Sequence, residues 1–168
     1  DEFQDFGELA LKQPFKVRFI EFMPVGEKSS WQEDRFIEGE KIREMVAGIG
    51  KLTPCAHQRS DGPARMFDLQ TADGKKGRVG FISPISHHFC DRCNRLRLTS
   101  EGRLRACLLN DVETDLRKLI RKGVNDIDIE NAIRKTIMEK PQGHHLQDRS
   151  NRPTNGGACL GRMSRIGG

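Results

Sequence analysis

Tyrosine is absent from this 168-residue chain, tryptophan occurs once, and aromatic side chains make up only 6% of it. A surface that stacks unpaired bases needs exposed rings, so composition argues against a single-strand nucleic-acid platform. No apolar run approaches the roughly 20 residues of a helical membrane span. No cationic, apolar leader opens the chain, which starts Asp1-Glu2-Phe3, so a signal peptide is not expected. An initiator methionine is missing too, which suggests an excerpt of something longer. Five cysteines are an odd number without a ladder of pairs, which points away from a secreted disulfide scaffold and towards a reducing cytoplasm. No internal repeat is present.

What is abundant is charge, and it is unevenly placed. Residues 1–83 carry 13 basic and 14 acidic side chains, whereas residues 84–168 carry 16 and 10. The excess of cations suits a polyanion such as a nucleoside triphosphate. The length is enough for one domain with a proper core.

The pattern of elements predicts an α+β fold. Phe3, Phe6, Leu9 and Ala10 stand at helical spacing before Pro14, and the run Phe15–Met23 reads as a buried strand. A helix leading into such a strand is half of an α/β unit, which needs parallel partners, and no other segment looks like one. Gly39–Ile49 predicts an amphipathic helix and Thr53–Ala64 a turn-rich stretch. Short strands are expected at Arg65–Thr71, Gly77–Ile82, Arg95–Thr99 and Arg103–Leu108, with hairpin signals at Ala72-Asp73-Gly74 and Ser100-Glu101-Gly102. Thr114–Lys122 and a helix from an Asp128 N-cap to about Glu139 close the domain, the latter with Ile129, Ala132, Ile133 and Ile137 as its apolar face. The boundaries expected are a barrel remnant at 1–25, a main domain at 26–148 and a basic tail at 149–168.

The chemistry concentrates in FCDRCNRLRLTSEGRLRACL. Cys90 and Cys93 are three apart, and Cys107 returns after 13 intervening residues. The first pair places two sulfurs on one tight turn, and a hairpin must bring back the third. Three thiols without an obvious fourth suit an iron–sulfur cluster with one open iron, or a zinc site completed by His87, His88, His57 or Cys55. A zinc-stabilised nucleic-acid-binding module is the corresponding alternative function. Arg95 and Arg97 leave the site on one face of a strand whose other face carries Leu96 and Leu98, and a guanidinium pair there offers planar forks to phosphate oxygens. Cys55 and Cys159 read as structural or surface thiols, His144 and His145 as loop histidines, and Lys75-Lys76 as a solvated turn.

Together with RFIEFMPVG upstream and the MSRIGG ending, this run closely resembles the C-terminal half of the molybdenum cofactor biosynthesis protein A family. Its members are radical S-adenosylmethionine enzymes with GTP 3′,8-cyclase activity, acting in molybdenum cofactor biosynthesis. The resemblance implies the last helix and strand of an incomplete (β/α) barrel of the TIM type, followed by a small antiparallel sheet with flanking helices. It implies that Cys90, Cys93 and Cys107 hold the second, substrate-side 4Fe–4S cluster, whose free iron binds the guanine of GTP. By the same resemblance Arg18, Arg95, Leu96 and Arg97 contact GTP, and Met23 lines the S-adenosylmethionine pocket. Gly167 and Gly168 would reach into the active site and assist catalysis alongside Arg95 and Arg97.

The family's first cluster motif, Cys-x-x-x-Cys-x-x-Cys, does not occur in this sequence. The fragment is therefore expected to be inactive alone, and the resemblance implies a missing radical-generating half and a homodimer in the full-length family. An arginine on an apolar strand wants a partner, and Glu21 is the nearest structural candidate for Arg18, although on the opposite strand face.

Overall fold

The computed structural model describes residues 2–25, 33–144 and 165, which fall into two units: 1–22 with 35–89, and 23–34 with 90–168. In the first unit, α1 (Glu2–Lys12) has Glu2 and Asp5 in its first turn and Lys12 in its last, the charge order its dipole favours. It ends before Pro14, whose missing amide cannot extend the ladder. Then come β1 (Lys16–Ile20), α2 (Gly39–Ala47), β2 (Lys51–Pro54), β3 (Arg65–Gln70) and β4 (Lys76–Ile82).

These strands form one mixed sheet in the order β1-β4-β3-β2. β4 runs parallel to β1, with Lys16 opposite Arg78 and Ile20 opposite Ile82. This corrects the expectation that β1 lacks a parallel partner within the chain. The partner comes after α2 and the β2–β3 hairpin, so local pattern could not reveal the pairing. β1 is also not wholly buried: it is an edge strand, and Ile20 is 55% exposed. β2 arises inside the stretch read as turns and pairs antiparallel with β3.

The core of this unit lies between the sheet and the two helices. Ala10, Ile42, Val46, Phe67, Leu69, Val79 and Phe81 are buried together. Phe19 stacks on Phe81 at 5.5 Å between ring centroids, and Phe67 meets Phe81 edge-on at 5.7 Å. Gly77 lets α1 settle on β4, because a Cβ there would stand 2.5 Å from the Ala10 carbonyl oxygen.

Just past β1, Glu21 is almost fully buried and acts as a polar pin. Its carboxylate accepts the N–H of Gly39 at 2.8 Å, of Ile85 at 2.9 Å and of Ser86 at 3.0 Å, together with the Ser86 hydroxyl. Burial works to raise its pKa, yet those donors outweigh it and hold the carboxyl below its ordinary value.

The second unit carries β5 (Arg97–Leu98), β6 (Arg103–Arg105), β7 (Glu113–Asp115), α3 (Leu116–Arg121) and α4 (Asp126–Met138). The three strands form an antiparallel sheet in sequence order. The α+β class thus holds, with a four-stranded mixed sheet in the first unit and a three-stranded antiparallel sheet in the second. Polar β7 carries no apolar alternation and escaped the sequence pattern.

The α4 cap is Asn125, not Asp128: the Asn125 side chain accepts the Asp128 N–H at 2.9 Å. The buried side chain of α4 is Thr136, whose hydroxyl meets Thr114 at 2.7 Å and the Ala132 carbonyl at 2.9 Å. Of the expected apolar face, Ile129, Ala132 and Ile133 are half-buried and Ile137 is exposed. Among the described residues this unit buries Pro24, Leu104, Thr99, Arg105 and Thr136.

Candidate metal and nucleotide site

Cys90–Arg92 forms a single 3-10 turn, and the Cys93 N–H closes it on the Cys90 carbonyl at 3.2 Å. This is the tight turn that Cys-x-x-Cys spacing demands. β5 leaves it and returns through Ser100-Glu101-Gly102, where Gly102 takes φ 76°, a left-handed value that glycine adopts without strain. The Thr99 N–H meets the Arg103 carbonyl at 2.8 Å, and the Gly102 N–H meets the Thr99 carbonyl at 2.9 Å. Arg97 then stands opposite Arg105 and Leu98 opposite Leu104. Cys107 follows two residues after Arg105, beyond the paired strands, and its sulfur acts on Cys90.

The Cys90 thiol senses the other two. Burial raises the Cys90 pKa first, and the nearby sulfurs of Cys107 and Cys93 raise it further, against the pull of the His144 N–H. Such repulsion is what a set of thiolates relieves by sharing a cation. Cys93 behaves oppositely. Burial would raise it, but the Arg95 N–H, the Lys140 ammonium and the Arg95 charge together bring its pKa below the usual thiol value. Lys140 lies just beyond α4, with its Nζ 3.4 Å from Cys93 Sγ and 2.7 Å from the Arg95 carbonyl. Nothing in the spacing of the cysteines singled out this lysine, since it comes from a distant part of the chain.

Among the described residues no three His, Cys, Asp or Glu side chains stand gathered as a ready metal cage. The donor chemistry nonetheless suits a thiophilic iron–sulfur group: three cysteines at one hairpin end, one of them biased towards thiolate. Among the described residues this unit buries few apolar side chains, and a metal centre commonly supplements so small a core.

Arg95 is exposed and Arg97 half-buried, while Leu96 and Leu98, on the alternate face, are both exposed. The next arginine along the hairpin is structural. Arg105 is 1% exposed and pairs with Asp111 at 2.9 Å and Glu113 at 3.5 Å, while also donating to the Asn110 carbonyl.

In the first unit, Arg18 donates to the Ser60 carbonyl at 3.1 Å and lies 3.9 Å from the buried Asp61 carboxylate. Asp61, not Glu21, is therefore the partner of Arg18. Glu21 faces the other way, as β-alternation requires, and serves the Gly39 and Ser86 backbone. Cys55, His57, His87 and His88 belong to the first unit, whereas Cys90, Cys93, Cys107 and Met23 belong to the second. Cys55 is half-buried, and burial together with Asp68 pushes its thiol up. Gly167, Gly168, Cys159, His145, Arg149, Arg152 and Arg162 lie outside the described residues. Among the described residues, no helix is long and apolar enough to cross a membrane.

Residues 15–146 match the family model Molybdenum Cofactor Synthesis C. The chain is 44% identical over 169 residues to a GTP 3′,8-cyclase of Thermodesulfovibrio yellowstonii, covering 100% of this chain and 48% of the relative. It is 43% identical over 148 residues to the GTP 3′,8-cyclase of Syntrophomonas wolfei, covering 88% of this chain and 44% of the relative. That of Alkaliphilus oremlandii is 42% identical over 168 residues, again covering 100% of this chain and 48% of the relative. The chain spans about half the length of the curated relatives it matches.

Proposed function

The chain belongs to the Molybdenum Cofactor Synthesis C family and corresponds to the C-terminal portion of GTP 3′,8-cyclases; on that premise we propose that it is the substrate-side half of such an enzyme. The observation that carries the reading is the Cys90–Cys107 hairpin. It presents three thiols, of which Cys90 senses the other two, beside two arginines, in a unit with little apolar core of its own.

In this reading Cys90, Cys93 and Cys107 hold a 4Fe–4S cluster. Bound there, the cluster supplies an iron without a protein thiolate, a Lewis-acidic place for a donor atom of the guanine ring. Arg95 and Arg97 then take the triphosphate of GTP, each guanidinium offering two parallel donors to phosphate oxygens. Lys140 compensates thiolate charge at Cys93 and, by gripping the Arg95 carbonyl, fixes the backbone from which that guanidinium projects. Arg18 is a further GTP contact and Met23 an S-adenosylmethionine contact.

Hydrogen abstraction from the ribose and closure of the C3′–C8 bond require the radical-generating cluster and S-adenosylmethionine, whose Cys-x-x-x-Cys-x-x-Cys motif this sequence does not contain. The chain alone would accordingly bind GTP without converting it to 3′,8-cyclo-7,8-dihydro-GTP. The open edge of β1, with Phe15, Ile20 and Phe22 exposed around it, is where the rest of a partial barrel would pair. A homodimer of the complete enzyme and a cytoplasmic setting complete the proposal.

The test is binding. GTP and guanosine are titrated onto chain reconstituted anaerobically with iron and sulfide. Arg95→Ala and Arg97→Ala are expected to weaken GTP binding about tenfold or more and guanosine binding less than threefold, since each loses one charge-assisted phosphate pair worth about 1.5–3 kcal/mol. Equal losses for both ligands would contradict the phosphate role.

A further inference from the structure

Arg165 comes only three residues before Gly168, yet it makes three contacts, two on the turn of the cysteine hairpin and one on β7. Its Nε donates to Glu101 at 2.9 Å, its Nη2 lies 3.3 Å from a Glu113 oxygen, and its carbonyl accepts the Ser100 N–H at 3.1 Å. Glu101 and Ser100 form the β5–β6 turn, and Glu113 opens β7.

The backbone contact follows from strand alternation. The Thr99 N–H turns inward to the Arg103 carbonyl, so the next amide, Ser100, turns outward. In the order β5-β6-β7 the outer side of β5 is open, and an outward amide on an open edge is a place for another segment to add.

The charge follows too. Four carboxylates gather around the turn and β7: Glu101, Asp111, Glu113 and Asp115. Arg103 and Arg105 are the hairpin's own guanidiniums facing them. The largely buried Glu113 lies within 3.7 Å of Arg103 and 3.5 Å of Arg105, and Arg165 is the third guanidinium on that one carboxylate. Arg165 thus joins, as a third cation, an ion-pair network that the hairpin and β7 already share. The ion pair also holds the Glu101 carboxyl below its ordinary pKa.

We propose that Arg165 is the docking anchor of the chain's own C-terminal segment, a clamp that fixes the segment to the turn of the cysteine hairpin through Glu101, Glu113 and the Ser100 amide. With Arg165 held at the turn, the three residues that follow it can reach at most about 11 Å from it. Arg165 is thus a positioning residue. Its consequence for catalysis rests on the cyclase reading, but the docking itself does not.

Hydrogen exchange read by mass spectrometry, on the intact chain without metal or nucleotide, tests the clamp. The Ser100 amide is expected to exchange at least tenfold faster in Arg165→Ala, and in a chain ending at Ser164, than in the unaltered chain. Amides of β4 and α4 should be unchanged, which shows that the fold persists. Arg165→Lys should recover part of the protection, because an ammonium can hold one carboxylate at a time where the guanidinium spans two. Glu101→Gln, at an exposed position that tolerates change, should mimic Arg165→Ala in part, and Arg162→Ala should do nothing. Unaltered Ser100 exchange in both Arg165→Ala and the shortened chain would overturn the proposal. So would equal loss of protection in Arg162→Ala, which would reduce the effect to net charge. Iron uptake by the same variants is read separately: lost protection with full iron content leaves the cluster reading standing, and the reverse leaves the clamp standing.

Discussion

Replacing Arg105 by alanine is expected to destabilise the second unit by about 3–5 kcal/mol, the range found when one partner of a buried ion pair is removed. Arg105 is 1% exposed and ties β6 to the segment before β7 through Asn110, Asp111 and Glu113. Its loss leaves Glu113, itself largely buried, with Arg165 at 3.3 Å and Arg103 at 3.7 Å, and removes the donor shared by Asp111 and the Asn110 carbonyl. Arg105→Met, which fills the volume without the charge, should recover little, because the acceptors would still lack a donor. Urea unfolding with iron content measured in parallel checks this. Cys107 lies two residues beyond Arg105, so iron uptake should fall together with stability. Unchanged unfolding would mean that solvent replaces the network freely.

The second large effect is expected at Glu21. Glu21→Ala orphans the amides of Gly39, Ile85 and Ser86 at once, and each unsatisfied buried donor costs about 1–3 kcal/mol, so a loss of at least about 3 kcal/mol is predicted for the first unit. The pH dependence carries the same signature. The folded carboxyl titrates below its ordinary value, so its contribution is fully present above the unfolded pKa of about 4.3 and disappears as pH falls through the folded value. Stability measured from pH 6 to pH 3 should fall less steeply in Glu21→Gln than in the unaltered protein. Parallel curves would contradict the pin.

Why one part of this molecule was readable and another was not follows from where the information sits. β3 and β4 were legible because Phe67, Leu69, Val79 and Phe81 combine β-type side chains with a glycine turn, all local signals. β1 was legible as a strand, but its parallel pairing with β4 was not, since that choice spans some sixty positions of chain. Helix α4 was located from its isoleucine spacing, but its buried face turned on Thr136, a hydroxyl that any periodicity scheme counts as polar.

At the site, the turn of Cys90 and Cys93 and the hairpin return of Cys107 were visible as spacing. Lys140 at Cys93 and Arg165 at Glu101 were not, because a lone cation in a basic sequence announces no partner. The acids it lands on, Glu101 and Glu113, gave the only signal: they stand out in a stretch otherwise rich in arginine.

The central claim is that these three cysteines hold a cluster whose open iron meets GTP. It is tested most directly by adding GTP to anaerobically reconstituted chain and following the electron paramagnetic resonance of the reduced cluster. The prediction is about four irons per chain, a spectrum that changes with GTP, loss of both in Cys107→Ser, and retention of both in Cys159→Ser. One zinc per chain, or an iron spectrum indifferent to GTP, would contradict it.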